Sequence, residues 1–148
     1  MPYKFAYLYV AVVLVVTFIG FWPSYFSVVE EAPFALHAHA FTATAWVILA
    51  GIQSWSIHHQ ARDLHRKFGK LSIFLFPVLI ASLVLIMNVS AERVLESDSP
   101  FWQQVAPVIG YVTLTAICGF LVLFTQALRY RRNVNIHMGS TEILVRAL

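Results

Sequence analysis

Long apolar runs separated by short polar breaks are the dominant pattern along this chain. Four runs contain no charged residue: Phe5 to Trp22, Phe34 to Ile57, Leu71 to Val89 and Val105 to Leu128. At a rise of 1.5 Å per residue, about 20 helical residues cross the roughly 30 Å hydrocarbon core of a bilayer. Each run is therefore predicted to be a transmembrane helix. The breaks, each about a dozen residues long, favour antiparallel neighbours. The predicted fold is all-α, an integral membrane up-down bundle of four transmembrane helices. It occupies residues 1–132, with a C-terminal segment at 133–148.

Finer features fit this pattern. Pro77 falls early in the third predicted helix and should bend it, whereas Pro107 is expected in the first turn of the fourth, where proline is tolerated. Phe21, Trp22, Tyr25 and Phe26, with Phe101 and Trp102, read as an aromatic belt at one membrane interface. The first run is read as a retained signal anchor. It carries only Lys4 ahead of it and leads into FWPSYF, which is no small-residue cleavage site. In the segment after RYRRN, Ile143, Leu144 and Leu148 can share an apolar face opposite Glu142 and Arg146. That segment is either a cytoplasmic or interfacial tail or a shortened fifth helix.

Composition agrees with the pattern. The 148 residues are 59% hydrophobic and 11% charged, whereas soluble domains carry about 25% charged residues. The distribution of charge then orients the bundle. Lys4, the group Arg62, Arg66, Lys67 and Lys70, and the group Arg129, Arg131 and Arg132 all flank one side. Glu30, Glu31, Glu92, Glu96 and Asp98 lie on the other, with Arg93 as the lone basic residue. The positive-inside rule places both termini in the cytoplasm, and the expected location is a bacterial inner membrane. The bilayer is the expected partner, together with a membrane-protein partner or a second copy. The cations are split among short juxtamembrane groups, which argues against nucleic acid. Cys118 is the single cysteine and lies within the fourth run, so it forms no intramolecular disulfide.

Candidate chemistry centres on histidine, which can ligate a metal or haem iron. His39, Thr42, Trp46, Leu49 and Gln53 recur at spacings of three and four and form a polar stripe expected to face the bundle interior. His37 is two residues from His39, a rotation of about 200°, so both cannot face inward. Thr115, Gly119, Val122 and Gln126 make a similar stripe on the fourth helix, suited to packing against the second. Next to the third helix, HHQARDLHRKFGK brings His58, His59 and His65 together as metal candidates. Continued helicity would put His58, Arg62 and His65 on one face. His137 lies at the same membrane depth and pairs with His65 as candidate haem ligands. The plainer alternative is that these are interfacial and loop histidines.

The segment HAHAFTATAW followed by DLHRKFG resembles the H-G-x-x-M-x-x-A-W and L-H-R-x-x-G/Q pattern of transmembrane b-type cytochromes, the ascorbate-linked electron carriers. It is also similar to uncharacterised small bacterial membrane proteins that share H-x-H, L-H-R-x-x-G and a later histidine. The resemblance covers about residues 34–75. It implies an outer haem on His37 or His39 and an inner one on His65, with His137 as a later match. The fourth helix contains no histidine, so an outer haem would lack its second ligand within one chain.

The favoured functional reading is a non-catalytic subunit or assembly factor of a membrane complex. The first alternative is a b-type haem electron carrier between a quinone pool and a partner, with His65, His137 and His39 as cofactor-binding candidates. The second is a small transporter or metal-handling protein using His39, Thr42 and Gln53 as a polar path. That path contains no intramembrane Asp, Glu, Lys or Arg of the kind carriers usually use.

Overall fold

The computed structural model describes residues 6–96 and 98–130. All regular structure among them is helical: α1 (Ala6–Gly20), a short 3-10 segment (Phe26–Glu31), α2 (Phe34–His58), α3 (Arg62–Leu95) and α4 (Pro100–Arg129). Three helices are long and apolar enough to cross a membrane, over Phe34–His58, Arg62–Leu95 and Gln103–Arg129. The described part of the apolar α1 covers 15 residues, about 22 Å of helix. Helical structure gives way there to a turn in which Phe18, Trp22 and Phe26 pack ring against ring. Their centroids are 5.3 Å apart for Phe18 and Trp22 and 4.6 Å for Phe18 and Phe26.

The helices and their connections differ from expectation at the polar ends. The α3 helix spans 34 residues and starts at Arg62, nine residues before the apolar run. Hydropathy marks only the part of a helix that suits lipid; the helix itself continues wherever backbone hydrogen bonds and propensity allow. Arg62, Arg66, Lys67 and Lys70 are thus helical and exposed, not loop residues. The α2–α3 connection shrinks to His59–Ala61. Its geometry is a left-handed helix cap. Gln60 has φ 57°, and the Ala61 amide donates to the Ser56 carbonyl at 2.8 Å. Glutamine holds that conformation at a cost glycine does not bear. Gln60→Gly is therefore expected to raise unfolding stability by about 1 kcal/mol, read as a higher melting temperature in detergent.

Pro107 also lies elsewhere than expected. Pro100 occupies the start of α4 and Pro107 is inside it, because the helix starts five residues before the apolar run. The α3 helix likewise runs through Pro77. Neither proline can donate to the carbonyl four residues back.

The chain divides into two compact units, Met1–Ile86 and Met87–Leu148. In the first, α1 and α2 are antiparallel neighbours. Gly51 of α2 lies so near Val10 of α1 that a Cβ on Gly51 would sit 3.1 Å from Val10 Cγ1. At the two ends of the pair, Tyr7 meets His59 and Tyr25 meets His37, ring edge to ring face. A different face of α2 packs on α3. In the second unit, Ile117 and Ala127 are the buried residues of α4, while Thr115, Gly119, Val122 and Gln126 are exposed. Thr113, Thr115 and Thr125 direct their hydroxyls to carbonyls one turn back, so exposed threonines on an apolar helix keep a hydrogen-bond partner.

Candidate functional site

The polar stripe of α2 forms a seam with α3. Ala35, Thr42, Trp46, Leu49 and Ser56 are buried on α2 and Ser72, Phe76, Leu79 and Ser82 on α3, both series at helical spacings of three, four or seven. The contacts run antiparallel. His39 and Thr42 meet Ser82, Trp46 meets Phe76, and Gln53 meets the backbone at His65. Hydroxyl and amide side chains make the contacts at the two ends of the seam, and the aromatic pair fills the middle, with ring centroids 5.4 Å apart.

At one end of the seam, Ser82 is 3% exposed and sits among three polar neighbours. Its hydroxyl donates to the Leu79 carbonyl at 2.7 Å. Thr42 Oγ1 lies 2.8 Å from Ser82 Oγ, and also 2.7 Å from the Ala38 carbonyl. His39 Nδ1 is 3.3 Å from Ser82 Oγ. With the Ser82 proton given to Leu79, the His39 contact requires a proton on Nδ1, which leaves Nε2 as the lone-pair nitrogen. A serine beside a histidine suggests a nucleophile and its base, but this serine is closed off and its proton is committed to the backbone.

His37 is turned elsewhere, as the 200° rotation requires. Its Nδ1 lies 2.9 Å from Tyr25 Oη, and the two rings meet edge to face. The two outer histidines therefore serve different helix contacts, one closing α2 on the preceding turn and the other closing it on α3. The cytochrome resemblance implies an outer haem on one of these two histidines, and α4 brings no histidine as its second ligand.

At the other end, Gln53 Nε2 donates to the His65 carbonyl at 3.1 Å, while Gln53 Oε1 is buried without a partner. The amide lies against Gly69, where a Cβ would sit 3.5 Å from Gln53 Nε2, an ordinary contact distance. His59 stacks on Trp55 at 4.3 Å, and its Nδ1–H donates to the Trp55 carbonyl at 3.0 Å. His58 lies edge-on to His59 at 5.1 Å between centroids. Because α2 stops at His58 and the chain reverses through Gln60, His58, Arg62 and His65 do not share one continuous helical face. Among the described residues no group of three or more His, Cys, Asp or Glu side chains is placed to hold a metal ion. His137, the expected partner of His65, lies outside the described residues.

Ser82 is the seam residue that sequence reading missed. The signal was present: Ser72, Phe76, Leu79 and Ser82 repeat at four, three and three, placing serines on one face of an otherwise apolar run. Tyr25 was read only as an interfacial anchor, yet it also supplies the partner of His37. No protein-family model, no curated protein and no solved structure matches the chain.

Proposed function

We propose that this chain is a four-span membrane protein with both termini in the cytoplasm, acting as a non-catalytic subunit or assembly factor of a membrane complex. The observation supporting this reading is the use of the α2 stripe. His39, Thr42 and Gln53 reach hydrogen-bond partners on α3, and Trp46 packs on Phe76. A stripe whose side chains reach partners on the neighbouring helix supports a structural role for them. The apolar α1, with the aromatic turn at its end, supplies the fourth span. The cations on the first turns of α3 sit at the cytoplasmic surface in this topology.

One preparation separates this reading from the electron carrier. The full chain, expressed with a haem precursor and purified in mild detergent, is expected to show no Soret band before or after dithionite. On a native gel of solubilised membranes it is expected to migrate in a complex larger than itself. A Soret band lost on both His65→Ala and His137→Ala would replace the subunit reading with a haem site at the cytoplasmic face.

A further inference from the structure

A groove of about 520 Å³ runs along the first unit where α1, α2 and the start of α3 meet. Ala11 and Leu14 of α1, Ile48 and Trp55 of α2, and Leu64 and Phe68 of α3 form its three walls. Its origin is local. Gly51 draws α1 onto α2, the small Ala11 leaves space beside that contact, and the left-handed turn at Gln60 brings Leu64 and Phe68 round as the third side. From Ile48 to Trp55, and from Leu14 back to Tyr7, the walls extend seven residues, about 10 Å or two helical turns. The lining is almost wholly carbon, with only the Tyr7 hydroxyl and the Trp55 indole as side-chain hydrogen-bonding groups, both at the same end. Polar solutes find no partners deeper in.

Charge is concentrated at that same end. The first nine residues of α3 carry Arg62, Arg66, Lys67 and Lys70 against the single acid Asp63, all exposed. Lys67 lies between Leu64 and Phe68 in sequence and flanks the wall they make. An apolar slot two turns long, opening beside a cationic helix start and two interfacial aromatic side chains, has the layout of one lipid molecule: tail, interface and headgroup. We infer that this groove is a binding site for an anionic glycerophospholipid, with one acyl chain between α1, α2 and α3 and the phosphate held by Lys67 beside the wall of Leu64 and Phe68.

The inference rests on the membrane reading, which carbonate extraction of membranes tests separately, so that failure of one is distinguishable from failure of the other. The full chain in mild detergent is titrated with phosphatidylglycerol or with phosphatidylcholine of the same acyl chains, and bound lipid is counted by native mass spectrometry. One phosphatidylglycerol is expected to be retained with about fivefold or greater preference over phosphatidylcholine. Ala11→Trp fills the groove from an exposed position and is expected to remove that retained lipid. Ile48→Trp fills it from the facing wall and gives the same reading should the first variant lose its helical circular dichroism. Lys67→Gln is expected to keep one lipid but abolish the preference, whereas Lys70→Gln, on the far side of α3, is expected to leave it. Equal retention of the two lipids by the unaltered chain would reduce the groove to ordinary boundary lipid and overturn the inference. Unchanged retention in both tryptophan variants would do the same, as would a doubled mass without lipid, which assigns the groove to a helix of a second copy.

Discussion

Phe76→Ala is expected to lower unfolding stability by about 2 kcal/mol, the largest loss from any single truncation in the α2–α3 seam. Phe76 is 5% exposed and Trp46 6% exposed, and each ring is the other's neighbour at the centre of the interface. In a water-soluble core the same truncation costs about 3–5 kcal/mol, part of which is the return of apolar surface to water. Within a bilayer the separated helices face lipid, so that part largely disappears and the lost packing around the cavity remains. Unfolding of the purified chain in mixed micelles, followed by circular dichroism, measures the difference. Trp46→Ala should behave similarly, and the double variant should lose less than the two single losses combined, because each truncation already removes the ring pair. A change below about 0.5 kcal/mol for Phe76→Ala would mean that the aromatic pair does not hold the seam.

The serines above that pair contribute on a smaller scale. Interhelical hydrogen bonds in membranes are worth about 0.6 kcal/mol on average, since the separated state also finds partners. The cluster of His39, Thr42 and Ser82 therefore contributes more to register than to strength. Sliding α3 by one residue would turn Ser82 away from both partners and leave polar groups facing lipid. Aromatic packing supplies the energy and the hydroxyls select the alignment.

The α2 stripe was legible in sequence because period and polarity coincide there: a helix in lipid must turn His39, Thr42 and Gln53 toward protein, and spacing says which residues turn together. What those residues would meet was not legible. Ser82 sits in a run whose mean character is apolar, and one hydroxyl among leucines and valines changes hydropathy little while deciding the interface. Helix ends were misread for a related reason. Arg62 to Lys70 looked like a loop because charge was taken to mark the end of structure, whereas a helix continues freely into the headgroup layer. That shift removed the expected grouping of His58, Arg62 and His65, since a left-handed residue at Gln60 now interrupts the helix between them. Local turn geometry of this kind leaves no mark in a glutamine codon; a glycine at position 60 would have announced it.

The second large effect is expected at Gly51. A Cβ there meets Val10 Cγ1 at 3.1 Å, tighter than ordinary van der Waals contact, and the obstacle is a branched side chain near its own backbone, not a flexible tip. Gly51→Ala requires α1 to retreat by a few tenths of an ångström. Gly51→Leu requires much more, and overpacking of this kind costs about 1–3 kcal/mol. Helix propensity works in the opposite direction, because replacing glycine inside a helix contributes up to about 1 kcal/mol of stabilisation. The net loss for Gly51→Leu is accordingly set at about 2 kcal/mol, measured as for Phe76, while Gly51→Ala should be near neutral. The decisive comparison is a compensating pair. Val10→Ala removes Cγ1, the atom at 3.1 Å, and leaves Cβ at an ordinary 3.6 Å, so Val10→Ala with Gly51→Ala should be more stable than Val10→Ala alone, by about 1 kcal/mol, as the propensity gain is no longer offset by the clash. The groove beside this contact supplies a second readout. If α1 is displaced by leucine at 51, the wall carrying Ala11 and Leu14 moves with it, and retention of phosphatidylglycerol should fall in step with stability, whereas Phe76→Ala, on α3 against a different face of α2, should weaken the fold and leave the lipid in place.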